Sequence, residues 1–277
     1  MTDHYAVIGN PVAHSQSPRI HGLFARAVGH DTDYVRILGT PGRFADDVTR
    51  FREAGGRGLN VTAPFKLDAF SLATERTSRA TQAAAVNMLM FDDGRIIGDN
   101  TDGVGLVRDI HRQGFTIEHK RVLLLGAGGA ARGVVQPLLE ERPACVAIAN
   151  RTAEKAQALA ARFSTLAGRI DIRGGGMGEF GGEAFDLVVN ATSAGLDRGV
   201  VALPANVFAP GALAYDMMYG EASRAFLAYA MSRGAARSAD GLGMLVEQAA
   251  EAFFLWRGVR PATAAVLTVL RNGAQKE

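Results

Sequence analysis

Apolar positions along the chain fall into short runs separated by stretches of helical spacing. Residues 5–8 read as a strand closed by the turn Gly9-Asn10-Pro11. Ser17-Pro18 opens a helix in which Ile20, Leu23, Phe24 and Ala27 share a face, and Gly29 stops it. Residues 34–38 form a second strand, and Phe44, Val48 and Phe51 stripe a helix that ends at Gly55-Gly56. Residues 58–62 form a third strand, broken by Pro64. Strand and helix in alternation predict a parallel sheet. Residues 86–91 and 95–98 flank Asp92-Asp93-Gly94, a hairpin with suitable turn residues. Val104, Val107 and Ile110 then begin a helix that ends at Gly114 and leads into a second region.

That region opens at Arg121. Residues 122–125 read as a buried strand, followed at once by Gly126-Ala127-Gly128-Gly129-Ala130-Ala131 and a helix to about Glu141. Strands are expected at 145–149, 170–172, 185–189 and 213–216, with a helix from Thr152 through Phe163. The glycine-rich stretch 174–182 is expected to be a loop. Leu242, Leu245, Val246, Ala249, Ala250 and Phe253 mark a last helix.

Composition narrows the class. At roughly 150 residues per domain, 277 residues suggest two domains. With 48% apolar and 21% charged residues, a sizeable core can form. A net charge of +2 is too balanced for recruitment by nucleic acid. The single cysteine, Cys145, excludes an intrachain disulfide, and six histidines without HExxH or CxxC spacing argue against a histidine/thiolate metal site. No basic leader precedes an apolar stretch, and no apolar run is long enough to span a bilayer. A cytoplasmic α/β protein with neither nucleic-acid nor membrane partner is expected.

Gly126 opens a G-x-G-x-x-A pattern set between strand and helix. Such glycines let the backbone approach a pyrophosphate, and the helix start offers unpaired N–H groups. An NAD site usually carries Asp or Glu after the second strand. Here Asn150-Arg151-Thr152 stands there, with Lys155 one turn on, so two cations favour the 2′-phosphate of NADP.

Three polar segments fall at strand ends or helix starts. Ser15-Gln16-Ser17 offers two hydroxyls to a carboxylate, or a simple helix cap. In the stretch 60–66, Asn60 and Thr62 share a strand face and Pro64 turns Lys66 back toward the strand end. A desolvated lysine there suits proton transfer; an exposed first-turn lysine is the alternative. In 99–103, Asp102 either pairs with Lys66 or merely complements a helix dipole. Asn87 serves a substrate hydroxyl or a turn.

Taken together, the strings 9–18, 60–66, 85–87, 98–103, 126–130, 150–152, 190–195, 215–219 and 240–248 closely resemble the shikimate/quinate dehydrogenase family. The resemblance implies an N-terminal α/β substrate domain with a mixed, mainly parallel sheet (1–104 plus 241–277) and a Rossmann NADP-binding domain (105–240). It implies reversible NADPH-dependent reduction of 3-dehydroshikimate to shikimate, with Lys66 and Asp102 as the catalytic pair. Ser15, Ser17, Asn60, Thr62, Asn87, Tyr219 and Gln248 are then substrate contacts. Gly126, Ala127, Gly128, Gly129, Ala130, Asn150, Arg151, Thr152, Lys155, Met217 and Gly241 are cofactor contacts. Members of this fold work as monomers or homodimers. Three positions depart from the common pattern: Met88 stands where Thr is common, Leu196 where Met is common, and Lys155 where many members have Arg. Other expectations for such a sequence are a quinate/shikimate paralogue or a catalytically silent NADP- or shikimate-binding regulator. Retention of both Lys66 and Asp102 argues against silence.

Overall fold

The computed structural model describes residues 2–192, 203 and 206–274. Contacts divide the chain into two units, Met1–Gly105 with Val246–Glu277, and Leu106–Leu245.

The first unit opens with β1 (Asp3–Gly9), α1 (Ser17–Val28), β2 (Thr32–Leu38), α2 (Phe44–Glu53) and β3 (Gly56–Val61). β1 lies between β2 and β3, parallel to both. Both of its faces are covered, which accounts for an unbroken apolar run. Ala6 and Ile8 enter one core with Val48, Leu59 and Phe65, while Tyr5 and Val7 meet Tyr34 on the other side. Gly29 caps α1 at φ +69°. Ser17 is the first residue of α1 rather than its cap: Gln16 holds the cap position, and Ser15 Oγ accepts from the Ser17 amide at 3.3 Å.

The chain continues through α3 (Lys66–Leu72), β4 (Glu75–Arg76), α4 (Ser78–Ala83), β5 (Met88–Asp92), β6 (Arg95–Asp99) and α5 (Asp102–Arg112). β5 is antiparallel to β3 and to β6, and β6 is parallel to β4. The strand order is β2-β1-β3-β5-β6-β4, so the sheet is mixed and mainly parallel, as expected. Two reversals return β6 to the direction of β1 and β3. The carboxyl ends of β1, β3 and β6 and the amino end of β5 therefore share one edge, the usual ligand edge of an α/β sheet.

In the second unit follow β7 (Arg121–Leu125), α6 (Gly129–Glu140), β8 (Cys145–Asn150), α7 (Ala153–Ala167), β9 (Asp171–Gly176), β10 (Phe185–Asn190), β11 (Phe208–Asp216), α8 (Glu221–Ser232) and β12 (Arg237–Ala239). The pairings are parallel, in the order β12-β11-β10-β7-β8-β9. Counted from β7, this is the doubly wound dinucleotide order, and it reverses between β7 and β10. Alternate strand residues feed opposite faces: Val122, Leu124 and Ile148 one core, Leu123, Leu125 and Ala147 the other.

The glycine-rich stretch is not all loop. Residues 174–176 belong to β9 and pair with β8. A Cβ on Gly174 would collide with the carbonyl of Ala156, so this glycine lets α7 lie close against the strand. The last three residues of the string 190–195, and Leu196 after them, lie outside the described residues.

Two helices complete the chain, α9 (Leu242–Arg257) and α10 (Ala264–Ala274). Phe253 meets Phe24 edge-on, and Trp256 stacks on Tyr5 at 4.7 Å and donates to the Leu89 carbonyl at 3.1 Å. The division between units falls within α9, so residues 241–245 go with the second unit, where Met244 is buried in the core. Among the described residues no helix is long and apolar enough to cross a membrane, and no group of three or more His, Cys, Asp or Glu could hold a metal ion.

Candidate active site

Lys66 and Asp102 are each the first residue of a helix, α3 after β3 and α5 after β6. The shared sheet edge brings them together: Lys66 Nζ donates to Asp102 Oδ2, with the two side chains 17% and 7% exposed. The other oxygen, Oδ1, accepts from Asn87 Nδ2 at 2.8 Å. Asn87 precedes β5; its Oδ1 accepts from the Thr101 amide at 2.8 Å, and its Nδ2 lies 3.4 Å from Gln248 Oε1 on α9. The Asp102 amide donates to Asn100 Oδ1 at 3.1 Å. Both carboxylate oxygens are thus committed, which fixes the ammonium in a mostly dry, hydrogen-bonded setting.

Ser15 Oγ donates to Ser17 Oγ at 3.2 Å, so the two hydroxyls form a pair where the loop after β1 enters α1. Asn60 is turned inward: its Oδ1 accepts from Tyr34 OH at 2.7 Å. Thr62 is half-buried, with its amide on the Ile8 carbonyl at 2.9 Å. Behind this edge His21 stacks on Tyr34 at 4.3 Å, and burial pushes its imidazole down to about 3 against an upward pull from Asn60. His21 is therefore neutral at physiological pH.

The second unit carries the glycine loop. Gly126, at φ +108°, donates its amide to the Ala149 carbonyl at 2.7 Å, and a Cβ there would sit 3.2 Å from the Ala191 carbonyl. Ala127 is buried, Gly128 is the open cap residue of α6, and Gly129 and Ala130 form its first turn with no side-chain cap on their amides. An anion placed there would meet free N–H donors and the positive end of the helix. The loop lies where the strand order reverses, so the residues fit a dinucleotide pyrophosphate. β8 ends at Asn150, whose Nδ2 donates to the Thr152 carbonyl at 2.9 Å. Arg151 and Thr152 follow, and Lys155 lies one turn on, all three exposed. At the end of β11 the Met217 amide donates to the Asn190 carbonyl, and the Gly241 amide to the Met218 carbonyl, both at 2.9 Å. Tyr219 is half-buried beyond them.

Sequence reasoning misses the inner support of the pair. Thr101 and Asn100 hold the turn ahead of Asp102, and Asp99 is gripped by Arg79. Thr101 and Asn100 belong to the polar segment 99–103, which is the signal that could have found them; Arg79, in a featureless polar stretch, carries none.

Three family models match the chain: the shikimate dehydrogenase substrate-binding domain over residues 7–89, shikimate/quinate 5-dehydrogenase over 108–195, and the shikimate 5′-dehydrogenase C-terminal domain over 241–271. The chain is 55% identical to the shikimate dehydrogenase (NADP(+)) of Dechloromonas aromatica, covering 98% of each protein. Among solved structures it resembles an Ael1 enzyme from Pseudomonas putida, 50% identical with a TM-score of 0.89, covering 97% of this chain and 98% of that one. It also resembles the shikimate 5-dehydrogenase of Thermus thermophilus in complex with NADP(H) and shikimate, 30% identical with a TM-score of 0.85, covering 98% and 99%.

Proposed function

The chain belongs to the shikimate dehydrogenase family, and on that premise we propose that it catalyses the reversible NADPH-dependent reduction of 3-dehydroshikimate to shikimate, with Lys66 and Asp102 as its catalytic pair. The observation that carries the reading is the Lys66–Asp102 ion pair, held on the sheet edge beside Asn87 and Gln248.

NADPH, when bound, supplies the hydride. Gly126, Ala127, Gly128, Gly129 and Ala130 would hold its pyrophosphate, and Arg151, Thr152 and Lys155 its 2′-phosphate, with Asn150 shaping their turn. Met217 and Gly241 would line the nicotinamide. As the ring carbonyl is reduced, negative charge gathers on its oxygen. The Lys66 ammonium stabilises that charge and gives the oxygen a proton. Asp102 orients the ammonium and accepts from a substrate hydroxyl. The Ser15–Ser17 hydroxyl pair and Thr62 suit the substrate carboxylate, Asn87, Gln248 and Tyr219 its hydroxyls, and Asn60 backs the edge through Tyr34. In the oxidation direction the same groups take the proton back.

The test is an assay of purified protein with NADP+, following the reduced nicotinamide by absorbance, with shikimate in one cuvette and quinate in another. Rapid reduction with shikimate and little with quinate is expected. Equal or greater turnover of quinate would replace this substrate, and no turnover of either would leave a binding protein.

A further inference from the structure

The supports of Asp102 and Gln248 converge on one guanidinium. Arg79, on α4, donates Nε to Asp99 Oδ1 at 2.6 Å and Nη2 to Asp99 Oδ2 at 2.8 Å, a bidentate fork. Its Nη1 and Nη2 also reach Glu251 Oε1, at 3.2 and 3.3 Å. Both carboxylates are buried: Asp99 is 2% exposed and Glu251 6%. Asp99 Oδ1 accepts in addition from Thr77 Oγ1 at 2.6 Å and from the Asn100 amide at 2.7 Å. Glu251 Oε2 accepts from Arg260 at 2.5 Å.

The two carboxylates sit on the two elements whose spacing matters. Asp99 ends β6 directly ahead of the Asn100-Thr101-Asp102 turn, and Asn100 Nδ2 ties that turn to the Ala85 carbonyl at 3.0 Å. Glu251 lies on α9 about one turn beyond Gln248. We propose that Arg79 is a positioning residue for the dehydrogenase reaction: by gripping Asp99 and Glu251 together, it sets the distance between the turn that bears Asp102 and the helix that bears Gln248. The proposal rests on the reading of Lys66, Asp102 and Gln248 as substrate machinery.

Without the guanidinium, two buried carboxylates lose their common partner and repel each other, so the turn and the helix part. A lysine keeps the charge but cannot form a fork on Asp99 while reaching Glu251. A displacement of an ångström between Asp102 and Gln248, which hold substrate hydroxyls, weakens the grip on the substrate and costs up to about 100-fold in kcat/KM. The loss should fall on the shikimate side, because the gripped elements carry none of the dinucleotide residues.

The experiment compares steady-state kinetics of Arg79→Ala, Arg79→Lys and Lys66→Ala with the parent, varying shikimate and NADP+ separately. In Arg79→Ala the KM for shikimate is expected to rise about tenfold or more while the KM for NADP+ stays within about twofold, and millimolar guanidinium should restore part of the loss. A purely structural role would lower the folded fraction, and with it kcat, without moving either KM. Arg79→Lys keeps a cation in the pocket and guards against a variant that does not fold; its KM for shikimate should rise about fivefold without rescue. If Lys66→Ala loses turnover but both Arg79 variants keep the parental KM for shikimate, the proposal is overturned and the site reading stands. If Lys66→Ala keeps full turnover, the site reading fails and the proposal with it.

Discussion

Lys66 and Asp102 stand 36 residues apart in the chain and form an ion pair, and the amide of Asn87 occupies the second carboxylate oxygen of Asp102 at 2.8 Å. The lysine is thereby aimed rather than merely neutralised. Lys66→Ala should fold, bind NADPH with parental affinity by cofactor fluorescence, and lose about 10²–10⁴-fold in kcat. Parental turnover in the purified variant would remove this residue from the chemistry.

Arg151 follows a strand end that carries Asn150 instead of a carboxylate, and its side chain is exposed. Arg151→Asp should weaken NADPH about 10–100-fold, through lost attraction and new repulsion of the 2′-phosphate, while changing NADH far less. Titration with both cofactors checks this. Equal losses for the two would show that Arg151 does not read the phosphate.

Gly126 combines φ +108° with a carbonyl 3.2 Å from where a side chain would begin. Gly126→Ala should cost about 1–3 kcal/mol in stability and weaken NADPH at least about tenfold, because the strained turn can relax only by moving the loop. Urea unfolding and cofactor titration test the two effects. An alanine variant with parental values for both would mean that the turn tolerates a side chain.

Asp216, at the end of β11, is wholly buried. Burial pushes its carboxyl up to about 6, against the Met218 amide and Asn190, which pull it down. The unfolded value is 3.8, so the fold holds this proton more tightly than the open chain does. The contribution to stability is complete below about pH 4 and is lost as pH rises through about 6, on the order of 3 kcal/mol in all. Asp216→Asn cannot titrate and lacks this slope. Urea unfolding from pH 4 to 6 should show the parent losing stability relative to the variant as pH rises. Parallel curves would mean that Asp216 is ionised throughout.

Much of this molecule is legible in its sequence, for identifiable reasons. Buried parallel strands leave dense apolar runs, and the Gly126 turn announces the strand beside it. The 174–182 stretch misleads because glycine marks both a turn and a close approach of backbones; Gly174 is the second kind, under Ala156. Ser17 reads as a cap in the sequence because it stands directly before Pro18; in the structure it is already the first helical residue, and Ser15 Oγ accepts from its amide. α3 and α4 are too short to show a periodic stripe. The Arg79–Glu251 contact spans 172 positions, and no local pattern encodes a partner that distant.

The first unit takes its last two helices from the far end of the chain, after the entire nucleotide fold. During synthesis its opening sheet must therefore wait, with Tyr5, Phe24 and Leu89 lacking the cover of Phe253 and Trp256, until the residues that follow the nucleotide fold have emerged. A message cut short near residue 245 would yield a chain able to fold its cofactor half while its substrate half stays raw, a ready target for chaperones and proteases.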